Sequence, residues 1–211
     1  LPGLPTPGGP ARPRNSAVLF GPRGEEAGVY HKRKLVPFGE FVPWRSLLQP
    51  LAGILAQMGD IDAGGMRQPV LKTPAGALGV TICFESVFPH LSRTSAAQGA
   101  SVIVNLTNDG WYKDTWGPYL HFNVNLFRAV ENRATVVRAA NTGISGVIDP
   151  YGVVTASLGL GRRGVLAAYL PAEDRFPERS FYARHGDLFG PACLAAAALL
   201  LAWAAWASLC P

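Results

Sequence analysis

Leu78-Gly79-Val80-Thr81-Ile82-Cys83-Phe84-Glu85 is a continuous apolar run that closes on a cysteine, an aromatic and an acid. A β-rich run without polar alternation reads as a strand buried on both faces. A second run of this kind covers residues 100–106, and residues 89–98 between the two have helical character. Working outward, residues 16–21 and 28–35 read as short strands around the turn Gly21-Pro22-Arg23-Gly24. Residues 118–138 form the longest helix candidate of the non-membrane part, with Phe122, Leu126, Ala129, Val130 and Arg133 along one side. Residues 144–148, 153–158 and 165–170 are expected strands, the first two joined by Asp149-Pro150-Tyr151-Gly152. In residues 41–65, Trp44, Leu47, Leu48, Leu51, Ile54, Leu55 and Met58 recur at helical spacing, and Pro50 breaks the run. Residues 1–14 are rich in Pro and Gly and read as loop. Strands and helices interleave without an internal repeat, which predicts an α/β fold.

The C-terminal end has a different character. No charged residue occurs from Leu188 to Cys210, and six leucines, two tryptophans and many alanines fill the run. A bilayer core requires roughly 20 such residues. The expectation is a domain over residues 1–187 and a transmembrane helix over 188–210; a buried hairpin or core helix is the alternative. Arg175, Arg179 and Arg184 precede the run and no basic residue follows it. Counted alone, that asymmetry places the domain in the cytoplasm.

The net charge of +5 is spread along the chain, with clusters only at Lys32-Arg33-Lys34 and Arg162-Arg163. Neither reaches the length of a nucleic-acid-binding run, so no nucleic-acid partner is expected; a basic surface beside anionic lipid suits the charge equally well. Of the three cysteines, Cys193 and Cys210 lie in the apolar run, and Cys83 stands alone in the rest. One cysteine builds neither a disulfide framework nor a cysteine zinc site, and no metal or other cofactor is expected.

Several residues could carry chemistry. Cys83 is either a small buried hydrophobe or a nucleophile, and a nucleophile needs a base or a cation to form thiolate. Glu85 shares the face of Cys83 if the strand continues, and a carboxylate beside an apolar strand needs a partner. Lys32 belongs either to a solvated basic patch or, turned inward while Arg33 faces out, to an oxyanion site. Glu40 ends a Pro-Phe-Gly-Glu turn. Asn108 opens a polar loop after a buried strand, where α/β proteins place their sites. His121 reads as a general base or as a structural helix histidine.

Taken in order, the motifs are Tyr30-x-Lys32-x-x-Leu35-Val36-Pro37-Phe38-Gly39-Glu40-Phe41-Val42-Pro43, Ile82-Cys83-Phe84-Glu85, Thr107-Asn108-Asp109-Gly110-Trp111-Tyr112, Gly117-Pro118-x-x-His121-Phe122, Arg138-x-x-Asn141-Thr142-Gly143-Ile144-Ser145 and Tyr182-Ala183-Arg184-x-Gly186-Asp187. Together they resemble the nitrilase (carbon–nitrogen hydrolase) superfamily, and within it the bacterial apolipoprotein N-acyltransferases. The resemblance implies an αββα sandwich, N-terminally truncated here, with a Glu-Lys-Cys triad and one C-terminal transmembrane helix. It gives Cys83 the nucleophile position, Lys32 that of the lysine, and Glu40 and Glu85 those of further essential acids. Phe84, whose N–H can face an oxyanion, stands where relatives often have Tyr. Trp111 would wall the acyl or head-group pocket, and Asn108 and His121 join it as binding or oxyanion candidates. The implied partners are a phospholipid acyl donor, an apolipoprotein acceptor and the inner membrane, with the domain on the periplasmic side against the charge count. The family's general-base Glu lies upstream of the lysine strand, and no such stretch precedes Lys32. This chain by itself is therefore expected to be inactive. An amidase or nitrilase that releases its acyl group to water, and a non-catalytic membrane-anchored binding domain, are the rival readings.

Overall fold

The computed structural model describes residues 12–44, 60–170 and 178–209. Its centre is a six-stranded mixed sheet formed by β3 (Leu71–Thr73), β4 (Gly76–Ile82), β5 (Val102–Asn108), β6 (Thr135–Asn141), β7 (Ser145–Ile148) and β8 (Val154–Leu158), in that spatial order. β4, β5 and β6 run parallel, and the remaining neighbours pair antiparallel. The crossovers between the parallel strands are α1 (Pro89–Ala97) and α2 (Gly117–Asn132). β1 (Ser16–Phe20) and β2 (Glu26–His31) form a separate two-stranded ribbon.

Side-chain alternation divides the sheet into two packed faces. Ile103, Val136 and Ile148 pack with Phe122, Ala129 and Ala134, so this face buries α2. Val80, Ile82 and Leu71 pack with Ala17 and Tyr30, so the opposite face carries the ribbon. A side chain on Gly79 would fall 2.6 Å from Cβ of Ser95, and glycine there allows α1 to lie close on β4. The turn at residues 149–152 forms as expected, with Gly152 at φ +86° and the Asp149 carboxylate accepting from the N–H groups of Tyr151 and Val153.

Several expectations are corrected. The helix expected over 118–138 ends at Asn132, because Arg133 turns left-handed at φ 50° and Thr135-Val136-Val137 enter the sheet as β6. The pull is tertiary: Val136 is fully buried between β5 and β7. Residues 165–170 form no strand; Val165 and Tyr169 are fully solvated, and no described strand lies beside them. β2 stops at His31 rather than 35, because the N–H groups of Arg33 and Lys34 turn to a side chain. β3, three residues long, was not anticipated. Most of the helical pattern over 41–65 lies outside the described residues, and its described ends, 41–44 and 60–65, are not helical.

The apolar end forms α4 (Phe189–Leu209). Residues Phe189–Ala207 have mean hydropathy 1.7, and none of that span is buried against the described residues. This helix is long and apolar enough to cross a membrane.

Candidate active site

β4 delivers its last residue into a sharp turn. Ile82 is extended, Cys83 takes φ 53°, and Cys83–Val87 coil into a 3₁₀ turn that leads to α1. A left-handed conformation is strained for a residue with a β-carbon, and such strain concentrates where a side chain must be presented. Cys83 is half-buried, a free thiol at the carboxyl end of a parallel strand. The strand therefore does not continue to Glu85. The expected shared face of Cys83 and Glu85 is replaced by a turn that sends Glu85 inward, to zero exposure.

The partners of Glu85 explain that burial. One carboxylate oxygen accepts from the backbone N–H groups of Arg33 (2.6 Å) and Lys34 (3.0 Å). The other accepts from the Tyr30 hydroxyl (2.9 Å) and the N–H of Ile82 (2.8 Å). Four donors on one ion satisfy a buried charge that would otherwise be costly. The effect is mechanical: one side chain fastens the segment after β2 to the end of β4.

That segment carries Lys32, 1% exposed, with Nζ 2.7 Å from both carboxylate oxygens of Glu40. Glu40 also accepts from the N–H of Val36 at 2.9 Å, which closes the Pro-Phe-Gly-Glu turn onto Lys32. Arg33 was expected to face outward, but it is buried too. Its Nε donates to the Tyr30 hydroxyl at 3.0 Å and its guanidinium stacks on the Tyr30 ring.

Beneath the Cys83 turn, on the α2 side, lies a buried polar floor. Arg138 donates to Oδ2 of Asp109 at 2.6 Å and to Oδ1 of Asn105 at 2.5 Å. The other oxygen of Asp109 faces Nδ1 of His121 at 2.9 Å and accepts from the Thr107 hydroxyl at 3.1 Å. Burial pushes the Asp109 carboxyl upward, but the His121 hydrogen bond and the Arg138 charge outweigh it and hold the group below the usual carboxylate range. Burial likewise lowers the Arg138 guanidinium, against the supporting charge of Asp109. A cation and an anion in contact, each with further hydrogen bonds, make a compensated buried pair.

The structure therefore brings the segment bearing Lys32 and Glu40 against the turn bearing Cys83 and Glu85. His121 lies under the Cys83 turn at 4% exposure. The Phe84 ring packs edge-on against Phe88. Asn108 is exposed and its side chain accepts from the N–H of Gly110. Trp111 is 85% exposed and lines no part of the neighbouring cleft, whose walls include Asp109, Lys113, Pro118, Thr142 and Gly161. Asn105, Asp109, Arg138 and Tyr30 were not singled out from sequence as site residues. A polar residue in or beside a buried strand is the available signal, and for Arg138 it was hidden by the helical reading.

Comparison with known proteins agrees with this geometry. The carbon–nitrogen hydrolase family model matches residues 4–175. The apolipoprotein N-acyltransferase of Geobacter metallireducens is 43% identical over 191 residues, covering 90% of this chain and 36% of that protein. The apolipoprotein N-acyltransferase of Agrobacterium fabrum is 43% identical over 165 residues, covering 77% of this chain and 31% of that protein. The chain thus spans about a third of the length of these curated relatives. Among solved structures, a variant of the amidase from Nesterenkonia sp. AN1, with acrylamide added at its active-site cysteine, superposes with TM-score 0.57 at 27% identity, covering 82% of this chain and 64% of that one. The carbon–nitrogen hydrolase of Helicobacter pylori shares the fold at TM-score 0.54 and 18% identity, covering 72% of this chain and 55% of that one. The chain belongs to the carbon–nitrogen hydrolase, or nitrilase, superfamily of enzymes, and its sequence relatives there are apolipoprotein N-acyltransferases.

Proposed function

We propose that this chain carries the nucleophile and oxyanion site of an acyltransferase that moves a fatty acyl chain from a phospholipid to the N-terminal lipidated cysteine of an apolipoprotein. Residues 1–187 form its catalytic domain and 188–210 its membrane helix. The observation that carries this reading is the Glu85 anchor, which holds the Lys32 segment and the strand ending in Cys83 together. The Cys83 thiolate attacks the ester carbonyl of the lipid. The Lys32 ammonium and the Phe84 N–H stabilise the oxyanion, the lysolipid leaves with the proton that the thiol gave up on forming thiolate, and a thioester remains. The α-amine of the acceptor then attacks the thioester, loses its proton and expels the thiolate, which leaves an amide. Glu40 holds the Lys32 side chain in place. Asn108 and the loop that bears it line the approach of substrate. The names of the relatives support a lipoprotein acceptor, and the apolar helix supports a site at a membrane. That this is the inner membrane, with the domain on its periplasmic side, follows from the family resemblance alone.

Incubation of the full-length protein with phospholipid vesicles, followed by intact mass spectrometry, tests this. The expected result is a fatty-acyl adduct on Cys83 that a lipopeptide amine discharges and that Cys83→Ala abolishes. Free fatty acid released without transfer would favour an amidase-type hydrolase instead. Unchanged function in Cys83→Ala would favour a binding domain.

A further inference from the structure

The floor under Cys83 has a geometric consequence for the atom that follows it. Three polar groups meet the Cys83 carbonyl oxygen: Nε2 of His121 at 3.2 Å, Oγ of Ser86 at 3.3 Å and Nδ2 of Asn105 at 3.4 Å. Asn105 and His121 are themselves held, the first by Arg138 and Thr81 and the second by Asp109. Both are buried. Asp109 and the carbonyl only accept, so a ring that donates to both carries two protons. With one proton, on Nδ1, the ring takes the Ser86 hydroxyl on Nε2, and Asn105 keeps the carbonyl. In either form the oxygen is pinned on the α2 side of the sheet.

That carbonyl and the Phe84 N–H belong to one peptide group, and the described backbone contains no cis bond. In a planar trans peptide the two bonds point in opposite directions. Pinning the carbonyl toward α2 turns the Phe84 N–H toward the opposite face, where the ribbon and the Lys32 segment lie. We infer that Asn105 and His121 are positioning residues that set the oxyanion donor by clamping the Cys83–Phe84 peptide, with Asp109 and Arg138 fixing the clamp. The inference rests on Cys83 being the nucleophile.

The test separates attack on a carbonyl from simple thiol chemistry. Alkylation of Cys83 by iodoacetamide passes through no oxyanion, whereas acylation by a p-nitrophenyl fatty ester does. Both are followed on the full chain in detergent by peptide mass spectrometry, at alkaline pH where a thiol ionises unaided. His121→Phe is expected to slow acylation by about tenfold to a hundredfold, part of what losing an oxyanion donor outright costs. Alkylation should stay near the wild-type rate, and His121→Gln, which keeps an amide donor, should recover much of the acylation. Asn105→Ala removes the second donor and makes the same separation if His121→Phe does not fold. Equal slowing of both reactions would show a merely structural role and overturn the clamp, as would no slowing of either. A wild-type Cys83 that takes neither reagent would overturn the nucleophile reading and the clamp with it.

Discussion

Glu85 and Tyr30 show how one buried contact orders several residues. The Tyr30 hydroxyl donates to Glu85 and accepts from Nε of Arg33, so it joins the ribbon to the turn that follows β4. Burial, and then the neighbouring Glu85 charge, raise the Tyr30 phenol above its ordinary value. A raised phenol contributes stability that is fully present below the unfolded value of about 10 and is lost as the pH climbs beyond it. Tyr30→Phe should therefore cost about 1–2 kcal/mol at pH 8, the worth of a hydrogen bond to a buried charge. The gap between wild type and variant should narrow above pH of about 10, because only the wild type has the phenol to lose. Thermal melts of both proteins in detergent at pH 8 and pH 11 measure this, and a gap that stays constant or widens would contradict it.

Among the elements, β4 and α1 depend on a single missing side chain. Ser95 occupies the space where a Gly79 β-carbon would stand, and Gly79 and Ser95 are both buried. Gly79→Ala must push α1 off the sheet, and overpacking of this kind costs about 1–3 kcal/mol. Because α1 continues directly from the Cys83 turn, the substitution should also slow ester acylation of Cys83, whereas Gly99→Ala, strained by φ +94° but meeting no atom, should destabilise without that slowing. Thermal melts and acylation rates measured together would show whether the two effects travel jointly. The elements also show what the sequence could reveal. β4 and β5 were legible because strands buried on both faces become continuous apolar runs. The end of α2 was not, because residues 133–138 keep a helix-compatible spacing until the neighbouring strands claim Val136. The need of Glu85 for a partner was legible, but its partners are mostly backbone N–H groups, which leave no trace in side-chain pattern. The floor was hidden for a related reason: Arg138 and Asp109 are 29 residues apart and meet only through the sheet register.

At the scale of the whole molecule, the question is how the apolar helix is joined to the domain. The connection over residues 178–187 is an ordered strap. Arg179 donates to the carbonyls of Asn132 (3.0 Å) and Ala100 (2.6 Å), where α2 ends and β5 is about to begin. Ser180 donates to the Glu131 carbonyl and accepts from Ala183 N–H, capping the short helix α3 (Phe181–His185). Arg93 of α1 then holds the carbonyls of Tyr182 (3.0 Å) and Arg184 (3.3 Å). The strap bridges the two helices that flank the Cys83 turn, so the apolar helix is anchored to the layer beneath the site rather than hung on a free tether. Glu131 pairs with Arg128, and Arg128 holds the carbonyls of Ser86 and Val87, which extends the same contacts to the turn itself. Local protection should reveal this. Trypsin must open α3 before it can cut after the exposed Arg184. Arg179→Ala removes two hydrogen bonds from a charged donor, a loss of about 2 kcal/mol that would raise the open population by about 30-fold. Limited proteolysis in detergent, timed by mass spectrometry of the fragment that begins at His185, should show cleavage accelerated by that order in the variant. Cleavage at the wild-type rate would mean that the strap contributes no restraint and that the helix is free to reorient about the domain.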